Sequence, residues 1–399
     1  DILMEINNII GQNLFAATIQ YSAGLENLAN GALTKGIDLY MNGNYKEATK
    51  EFQRSMGLAP ASENSIYAAN YMASAYLKLD DTEKAIKAYK TSLELNPFVE
   101  ETHSKLGNLY FSLERYEEAE KEYKEVVKLN SNSVNNYALG QVYLATERYG
   151  EAEDIFNKVR RLSPEKTDGY FGMGLAYSGQ ERYEEAIAQF EEALKRDSDL
   201  YEAYAEIGYA YADMGQMDMA QTQLDFLNQA EPNLADTLDR YMYKMDPPKI
   251  RFASSFESTF PYQMPYKTAV SSLDSYLANA DAAKKFTMVF QFDKAMDRES
   301  VENLTNWKIG RSTSSQPGQI YNYGFKIPTT EIQVNPLPNN VYYDSETYQA
   351  TVTFTIQQNS TADGTIDPTH IEFKFSGKDV FGQNMDPDFD QYIGFSGVA

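Results

Sequence analysis

Three segments near the middle of the chain repeat almost the same pattern. The segments "RYEEAEKEYKEVVKLN", "RYGEAEDIFNKVRRLSP" and "RYEEAIAQFEEALKRD" begin at Arg115, Arg148 and Arg182, a spacing of roughly 34 residues. A catalytic motif normally occurs once, because one pocket needs one copy. Repetition at a fixed period is typical instead of stacked units, in which each copy covers the exposed face of its neighbour.

Each copy contains two helical periods. The segments "EETHSKLGNLYFSL" and "RYEEAEKEYKEVVKL" both place apolar or small residues at positions i, i+3, i+4 and i+7. Gly107 and Ala119 allow the paired helices to approach closely, and Tyr123 fills the gap to the next unit. One such hairpin cannot bury its apolar face alone, so the pattern predicts a right-handed superhelix with a concave and a convex wall.

The positions of small and large residues resemble the tetratricopeptide repeat family. The matching positions, copy by copy, are Gly36, Ala48, Phe52 and Pro60; Ala73, Tyr76, Ala85, Tyr89 and Pro97; Gly107, Tyr110, Ala119, Tyr123 and Val126; Gly140, Tyr143, Ala152, Phe156 and Pro164; Gly174, Tyr177, Ala186, Phe190 and Ala193; Gly208, Tyr211, Ala220, Leu224 and Pro232. Six helical hairpins are therefore predicted. With "LADTLDRYMYKM" as a closing helix, the α-solenoid is predicted to span residues 29–244.

The resemblance implies that a peptide lies along the concave wall, which the first helix of each repeat lines. Aromatic rings offer a large contact area at low entropy cost, and amides pair with a peptide backbone. Lys105 is the single nearby basic candidate for holding a C-terminal carboxylate. Several of the candidates could equally pack between helices. The groove candidates are Tyr67, Asn70, Ser104, Asn108, Tyr137, Gln141, Phe171 and Tyr209.

Residues 1–28 lie outside the repeats, and "INNIIGQNLFAATIQYSAGL" within them carries no charge. Its apolar residues recur at helical spacing, but Asn and Gln make it too polar for the core of a bilayer. One interpretation is a helix that caps the first repeat; the other is a docking helix that binds a neighbouring copy. The assembly candidates are Ile6, Ile9, Ile10, Leu14, Phe15 and Ile19.

After "KMDPPKIR" the period changes to two. The segments "FTMVFQF", "ATVTFTIQ" and "IEFKF" alternate apolar with polar residues, and turn residues separate them. This pattern predicts an antiparallel β-sandwich over residues 285–399, preceded at 245–284 by a Pro-containing linker and the start of the β domain. The predicted class is thus a multidomain α plus β protein.

The sandwich region has a resemblance of its own. "FQFDKAMDRESVENLTNWKI" and "FSGKDVFGQNMDPD" are similar to the bacterial Ig-like domains of surface-layer proteins, over about residues 285–397. In the second segment Gln383 separates the usual Gly-Asn pair. The resemblance implies a spacer or contact module outside a bacterial cell, without catalytic residues.

Composition excludes several kinds of chemistry. A net charge of -23 argues against nucleic acid and anionic membranes as partners, and the absence of cysteine removes disulfides and thiolate sites. No apolar run is long enough for a membrane span. The two histidines, His103 and His370, belong to no catalytic motif, and no cofactor is expected. Weak candidates for calcium ligands are Asp386, Asp388 and Asp390.

Two functions remain open, and neither is enzymatic. The first is a structural subunit that assembles head-to-tail with copies of itself at the surface of a bacterium or outside it, with the periplasm as the alternative location. The second is an adaptor that binds a peptide of another protein in its concave groove.

Overall fold

The repeated segments form paired helices in the computed structural model, which describes residues 2–394 and the side chains of 14 and 18–394. Thirteen α-helices lie in the first part of this described range, as predicted for six hairpins and a closing helix. Their bounds are α1 Ile2–Met41, α2 Tyr45–Leu58, α3 Glu63–Lys78, α4 Thr82–Leu95, α5 Glu100–Ser112, α6 Tyr116–Leu129, α7 Ser133–Ala145, α8 Tyr149–Leu162, α9 Asp168–Gly179, α10 Tyr183–Leu194, α11 Tyr201–Asp213, α12 Met217–Ala230 and α13 Pro232–Met245.

The chain divides into two compact units, Asp1–Ala210 and Tyr211–Ala399. The first unit contains α1 to α10 and most of α11. The second contains the end of α11, α12, α13 and the β region. Over the described residues, none of the helices has both the length and the apolar character needed to cross a membrane.

Small residues allow the helices of the first unit to approach closely. Phe156 on α8 is fully buried and fills the space beside Gly140 on α7 and Gly172 on α9. A Cβ atom added at either glycine would lie 2.6 Å or 2.3 Å from the Phe156 ring, well inside van der Waals contact. The small and large positions of the repeat therefore interlock across consecutive helices.

The arginine of the recurring "RY" pair has a physical role at the start of α6, α8 and α10. The Arg148 guanidinium lies 4.6 Å from the centre of the Tyr143 ring and forms ion pairs with Glu151 on its own helix and with Glu120 on α6. One arginine thus ties a repeat to the preceding one. The same set of contacts joins Arg115 to Tyr110, Glu118 and Glu83, and Arg182 to Tyr177, Glu185 and Glu153.

The predicted strands are confirmed in the second unit. Their bounds, with one short helix, are β1 Ile250–Ala253, β2 Thr268–Ala269, β3 Ala283–Phe292, α14 Arg298–Glu302, β4 Trp307–Arg311, β5 Asn340–Asp344, β6 Gln349–Gln357, β7 Thr365–Ile366, β8 Ile371–Phe375 and β9 Gln391–Ile393. They form antiparallel sheets in the orders β1-β3-β6-β5, β2-β7 and β4-β8-β9.

Alternation of apolar residues places one face of each long strand in a common core. On β6, the predicted apolar residues Ala350, Val352, Phe354 and Ile356 are all buried. Ring centres of Phe354 on β6 and Phe373 on β8 are 5.2 Å apart, so side chains from the four-stranded and three-stranded sheets are in contact. Aromatic rings from both sheets thus contribute to one hydrophobic core.

A buried lysine connects α13 to the β region within the second unit. Lys294, just after β3, has a side chain that is 2% exposed. Its ammonium donates to the carbonyls of Tyr243 and Asp246 at the end of α13 and lies 3.3 Å from Asp379 Oδ2. The lysine satisfies carbonyls that a helix end otherwise leaves unpaired.

Candidate binding groove

A cavity of about 630 Å³ lies between α3 and α5, the first helices of the second and third repeats. Tyr67 and Asn70, two of the predicted groove residues, both line it, and the Tyr67 side chain is 50% exposed. The volume is in the range of sites that accept a small ligand or a peptide side chain. The remaining lining residues are Glu63, Ile66, Tyr71, Ser74, Leu95, Asn96, Val99, Glu101 and Lys105.

The charges around this cavity are unbalanced. Lys105 Nζ lies 2.7 Å from Glu101 Oε1, so this lysine is already paired with a carboxylate. Glu63 is exposed and has the hydroxyl of Tyr67 3.5 Å away. The rim is therefore negative, which disfavours the binding of a C-terminal carboxylate and favours a basic group on the ligand.

Amide side chains of the groove also connect neighbouring helices. The Thr102 hydroxyl on α5 donates to Asn70 Oδ1 on α3 at 3.1 Å. The Tyr123 hydroxyl on α6 donates to Asn108 Oδ1 on α5 at 2.6 Å, while Asn108 itself remains exposed. Burial raises the pKa of Tyr123 to about 12, so this hydroxyl stays protonated and able to donate beyond the pH at which an exposed tyrosine ionises. Ser104 is half-buried on α5.

Further along the unit, the predicted aromatic residues pack partly into the interior. The Tyr137 ring on α7 lies 5.5 Å from Phe156, and the Phe171 ring on α9 lies 5.5 Å from Phe190. Burial and the nearby Asp168 carboxylate raise the pKa of Tyr137, whereas a hydrogen bond from Gln141 lowers it. These half-buried rings pack between helices. This agrees with the alternative interpretation of the sequence, in which several groove candidates contribute to helix packing.

Tyr209 on α11 is half-buried, as Tyr137 and Phe171 are. Burial and the charge of Glu206 raise the pKa of its hydroxyl. The structure brings Tyr67 and Asn70 into one cavity. The other groove candidates lie further along α5 or on other helices and do not line this cavity; they are Asn108, Tyr137, Gln141, Phe171 and Tyr209.

Several lining residues were missed by the sequence analysis, although their spacing contains the signal. Glu63, Ile66, Tyr67, Asn70, Tyr71 and Ser74 recur at i, i+3 and i+4 and so occupy one face of α3. Leu95 and Val99, which flank the turn before α5, could not be found in this way, because helical periodicity does not extend across a turn.

Of the assembly candidates, the structure describes the side chains of Leu14 and Ile19, which are 68% and 53% exposed. Ile6, Ile9, Ile10 and Phe15 lie outside the described side chains. The predicted boundary at residue 28 falls inside α1, which continues without a break from the N-terminal segment into the first repeat. Tyr21 and Leu28 on the same helix are also exposed.

The remaining candidate residues are engaged in packing contacts. His103 Nδ1 lies 2.6 Å from Glu122 Oε2, and His370 Nδ1 lies 2.6 Å from Asp367 Oδ2; all four residues are buried. Asp386, Asp388 and Asp390 do not form a cluster: in the described part of the chain, no three His, Cys, Asp or Glu residues come together in a way that could hold a metal ion. Asp390 instead pairs with Lys374 at 3.1 Å.

Family models confirm the repeats. Models described as "Tetratricopeptide repeat" match residues 98–165, 133–199 and 201–225, and one described as "TPR repeat" matches residues 73–114. The search of curated proteins found no match.

Three of the similar solved structures match this chain with the following identity and coverage. YrrB, "a TPR protein with an unusual peptide-binding site", is 21% identical, with 47% of this chain and 97% of its own covered and a TM-score of 0.39. A tetratricopeptide repeat protein from Parabacteroides merdae is 15% identical, with 55% and 93% covered and a TM-score of 0.46. PilW, a "widely conserved type IV pilus biogenesis factor", is 16% identical, with 53% and 97% covered and a TM-score of 0.42.

Proposed function

Because tetratricopeptide repeats form the helical part of this chain, we propose that the protein is a non-enzymatic interaction protein that binds a segment of a protein partner between α3 and α5. The observation that carries this proposal is the cavity at Tyr67 and Asn70, which an exposed ring, an amide and apolar side chains line together. An aromatic ring beside an amide can bind a side chain and the peptide backbone next to it.

The lining also indicates what the partner segment carries. The apolar lining residues Ile66, Leu95 and Val99 can contact an apolar side chain, and the exposed Glu63 carboxylate can pair with a basic one. We therefore expect an extended segment in which an apolar residue lies close to Lys or Arg. Charge on the rim contributes mainly to specificity and to the association rate.

Selection of peptides from a random displayed library on the full chain tests this proposal. Tyr67→Ala should weaken the selected peptides by about 2 kcal/mol, the scale of a single aromatic hot spot. Glu63→Lys should weaken peptides with a basic residue most. The matched control is Tyr342→Ala, since Tyr342 on β5 is 56% exposed and outside the helical unit. Equal affinity for the wild type and Tyr67→Ala would contradict the proposal.

A second candidate function, self-assembly, is favoured by the exposed apolar residues of α1. Leu14, Tyr21 and Leu28 are 68%, 71% and 56% exposed. They recur at intervals of seven, the spacing at which residues of one helix face a partner helix in a coiled coil. We propose that this face of α1 docks on a neighbouring copy of the chain, head-to-tail, which would produce an assembly that grows rather than closes.

Light scattering at increasing protein concentration tests the assembly. Leu14→Lys with Leu28→Lys should shift the chain toward monomers, because a charge would be buried without a partner at the interface. Met41→Lys is the control, since Met41 is 76% exposed at the end of the same helix. A monomeric wild-type chain at high concentration would exclude self-assembly and leave the adaptor function.

The β region completes the proposal. We propose that its two larger sheets form an Ig-like sandwich of the surface-layer type and that the protein works at the surface of a bacterium or outside it, with the periplasm as the alternative. Support comes from the segments around Lys294 and Asp379 that resemble those domains and from the shared core of the sheets. Antibody labelling of intact cells would distinguish surface exposure from a periplasmic location.

A further inference from the structure

Three aromatic rings form a partly exposed cluster on the β region. Tyr266 and Phe325 are stacked, with ring centres 5.9 Å apart, and the Tyr323 ring lies edge-on to Tyr266 at 5.5 Å. Tyr323 is 48% exposed and Phe325 is 61% exposed. These three residues, here called the aromatic platform, are not part of the hydrophobic core and take no part in the groove between α3 and α5.

The segment that carries Tyr323 and Phe325 is held in an unusual backbone conformation. Asn322 and Tyr323 have φ angles of 54° and 53°, which lie in the left-handed region that residues other than glycine seldom adopt. The backbone N–H of Asn322 donates to the buried Asp367 carboxylate at 2.7 Å. Buried contacts thus fix the position of two exposed rings, and such strained, over-determined segments are concentrated at ligand sites.

The buried pair of Asp367 and His370 supports the same segment from below. His370 lies with Nδ1 2.6 Å from Asp367 Oδ2 and with Nε2 3.2 Å from the carbonyl oxygen of Gly318. Its ring is edge-on to Tyr323 at 4.8 Å. The platform is therefore preorganised, which lowers the entropy cost of binding.

Two lysines and three threonines lie beside the platform. Lys267 follows Tyr266 and Lys326 follows Phe325 in the sequence, and both lysines line a shallow cavity of about 410 Å³. Thr329, Thr330 and Thr365 line the same cavity, with the hydroxyls of Thr330 and Thr365 2.9 Å apart. The remaining lining residues are Ile327 and Pro328.

The charge of this site is opposite to that of the chain. The chain as a whole carries -23, yet among the described residues neither Lys267 nor Lys326 forms an ion pair. The acidic residue closest in sequence, Glu331, has a side chain that is 3% exposed and accepts a hydrogen bond from Tyr321, so it is turned away from solvent. Two uncompensated amines in one cavity favour an anionic ligand.

A peptide strand is a poor fit, because the backbone beside the cavity is already paired. β7 bonds to β2 on one side, and on the other side the Thr365 N–H donates to the Thr330 carbonyl at 2.9 Å and its carbonyl accepts from Ile332 at 3.0 Å. No open strand edge remains at Thr365 for β-strand addition.

We propose that the platform and its cavity bind an acidic polysaccharide. The C–H face of a sugar ring packs on the exposed face of an aromatic ring, its hydroxyls bond to threonine hydroxyls, and a uronate carboxylate pairs with a lysine. The lysines and threonines line the cavity, and Lys267 Nζ lies 5.4 Å from the centre of the Tyr266 ring, which joins the cavity to the platform. Because the chain is strongly acidic elsewhere, an anionic polymer has no general electrostatic attraction to it, and binding depends on the local lysines.

Affinity electrophoresis of the full chain through gels that contain polygalacturonate, a polyuronate, tests the proposal, with neutral dextran as the comparison polymer. The wild type should be retarded by polygalacturonate and not by dextran, and added salt should reduce the retardation. Phe325→Ala should lower the affinity about tenfold, and Lys267→Glu with Lys326→Glu should abolish it.

Matched controls separate the site from general surface effects. Phe256→Ala removes a fully exposed ring elsewhere in the β region, and Lys285→Glu with Lys308→Glu makes the same charge change at exposed positions on β3 and β4. Both controls should bind as the wild type does.

Absence of retardation by polygalacturonate, or equal loss in the platform variants and the controls, would overturn the proposal. Retardation by dextran that survives the lysine substitutions would overturn the assignment of an acidic ligand.

Discussion

At the scale of a residue, the Phe156 side chain requires small residues at the neighbouring helix positions. Its ring is fully buried between α7, α8 and α9, in contact with the backbone at Gly140 and Gly172. Glycine in a helix usually costs about 1 kcal/mol relative to alanine, so its presence at these positions reflects space rather than helix propensity.

Gly172→Ala should therefore lower the free energy of unfolding by about 1 to 3 kcal/mol, the cost of overpacking a close-packed interior. The added Cβ would lie 2.3 Å from Phe156 Cδ1. Gly31→Ala is the matched control, because Gly31 lies inside α1 with no atom within 4 Å of an added Cβ. Helical circular dichroism during urea unfolding should show destabilisation for the first variant and none for the second. The opposite order would mean that the helices are not in this contact.

Tyr123 makes stability depend on pH in the alkaline range. Burial raises its pKa to about 12, whereas an unfolded tyrosine titrates near about 10. Between these values the unfolded chain loses the proton first, so deprotonation favours unfolding and stability falls as pH rises. The stabilisation is complete below pH ~10 and is lost toward pH ~12.

Tyr123→Phe should remove this share of the pH dependence. Comparison of urea unfolding near pH 9 and pH 11 should show a smaller loss of stability in the variant than in the wild type, by about 1 kcal/mol. The other tyrosines contribute equally to both chains and cancel in the comparison. Identical losses would show that the Tyr123 hydroxyl is accessible to water.

At the scale of an element, three of the second helices, α6, α8 and α10, are each preceded by an arginine that contacts a tyrosine ring and two glutamates. Arg115, Arg148 and Arg182 are each about one third exposed, so each ion pair by itself contributes little. Their regular recurrence explains the "RY" motif as an inter-repeat contact. The turn before it is also regular, since Glu114, Glu147 and Glu181 all adopt left-handed φ angles of 57° or 58°.

The end of α13 depends on the buried Lys294. Lys294→Met should destabilise the β region by about 3 kcal/mol, because Asp379 and the carbonyls of Tyr243 and Asp246 would remain buried without the cation. Trp307 is the single tryptophan of the chain and is buried in this region, so its fluorescence reports the unfolding directly. Addition of Asp379→Asn should recover part of the loss; no recovery would mean that the two charges do not interact.

At the scale of the whole molecule, the helical part should fold without the β region. Residues 1–244 comprise six hairpins and α13 without its last residue, and Ala235, Leu238 and Met242 of this helix are buried. We expect this fragment to be soluble and helical by circular dichroism, with a frayed end of α13 because Lys294 is missing. A shorter fragment, 1–230, lacks the closing helix and should aggregate. A largely unfolded fragment 1–244 would place the domain boundary elsewhere.

Much of the fold could be predicted because small, large and apolar residues recur at regular intervals along the sequence. The interval of roughly 34 residues, with small and large residues at set positions, indicated six hairpins and a closing helix, and the alternation at Ala350 to Ile356 indicated a strand. Both patterns can be seen in the sequence because burial of one face of a helix or strand recurs at the period of that element. The candidate site was predicted less well: Tyr67 and Asn70 line the cavity, but Leu95 and Val99 enter it across a turn.

The sequence by itself determined the type of architecture, since a repeat that cannot bury its own face must stack and a strand with one apolar face must cover a core. The tertiary structure alone decided which side chains meet. It placed Lys294 beside carbonyls some fifty residues earlier, and it brought Tyr266 onto Phe325 to form the aromatic platform. Contacts of this kind join segments that are distant in sequence. The periodicity of one helix or strand does not say which distant element it will contact, so these contacts could not be predicted.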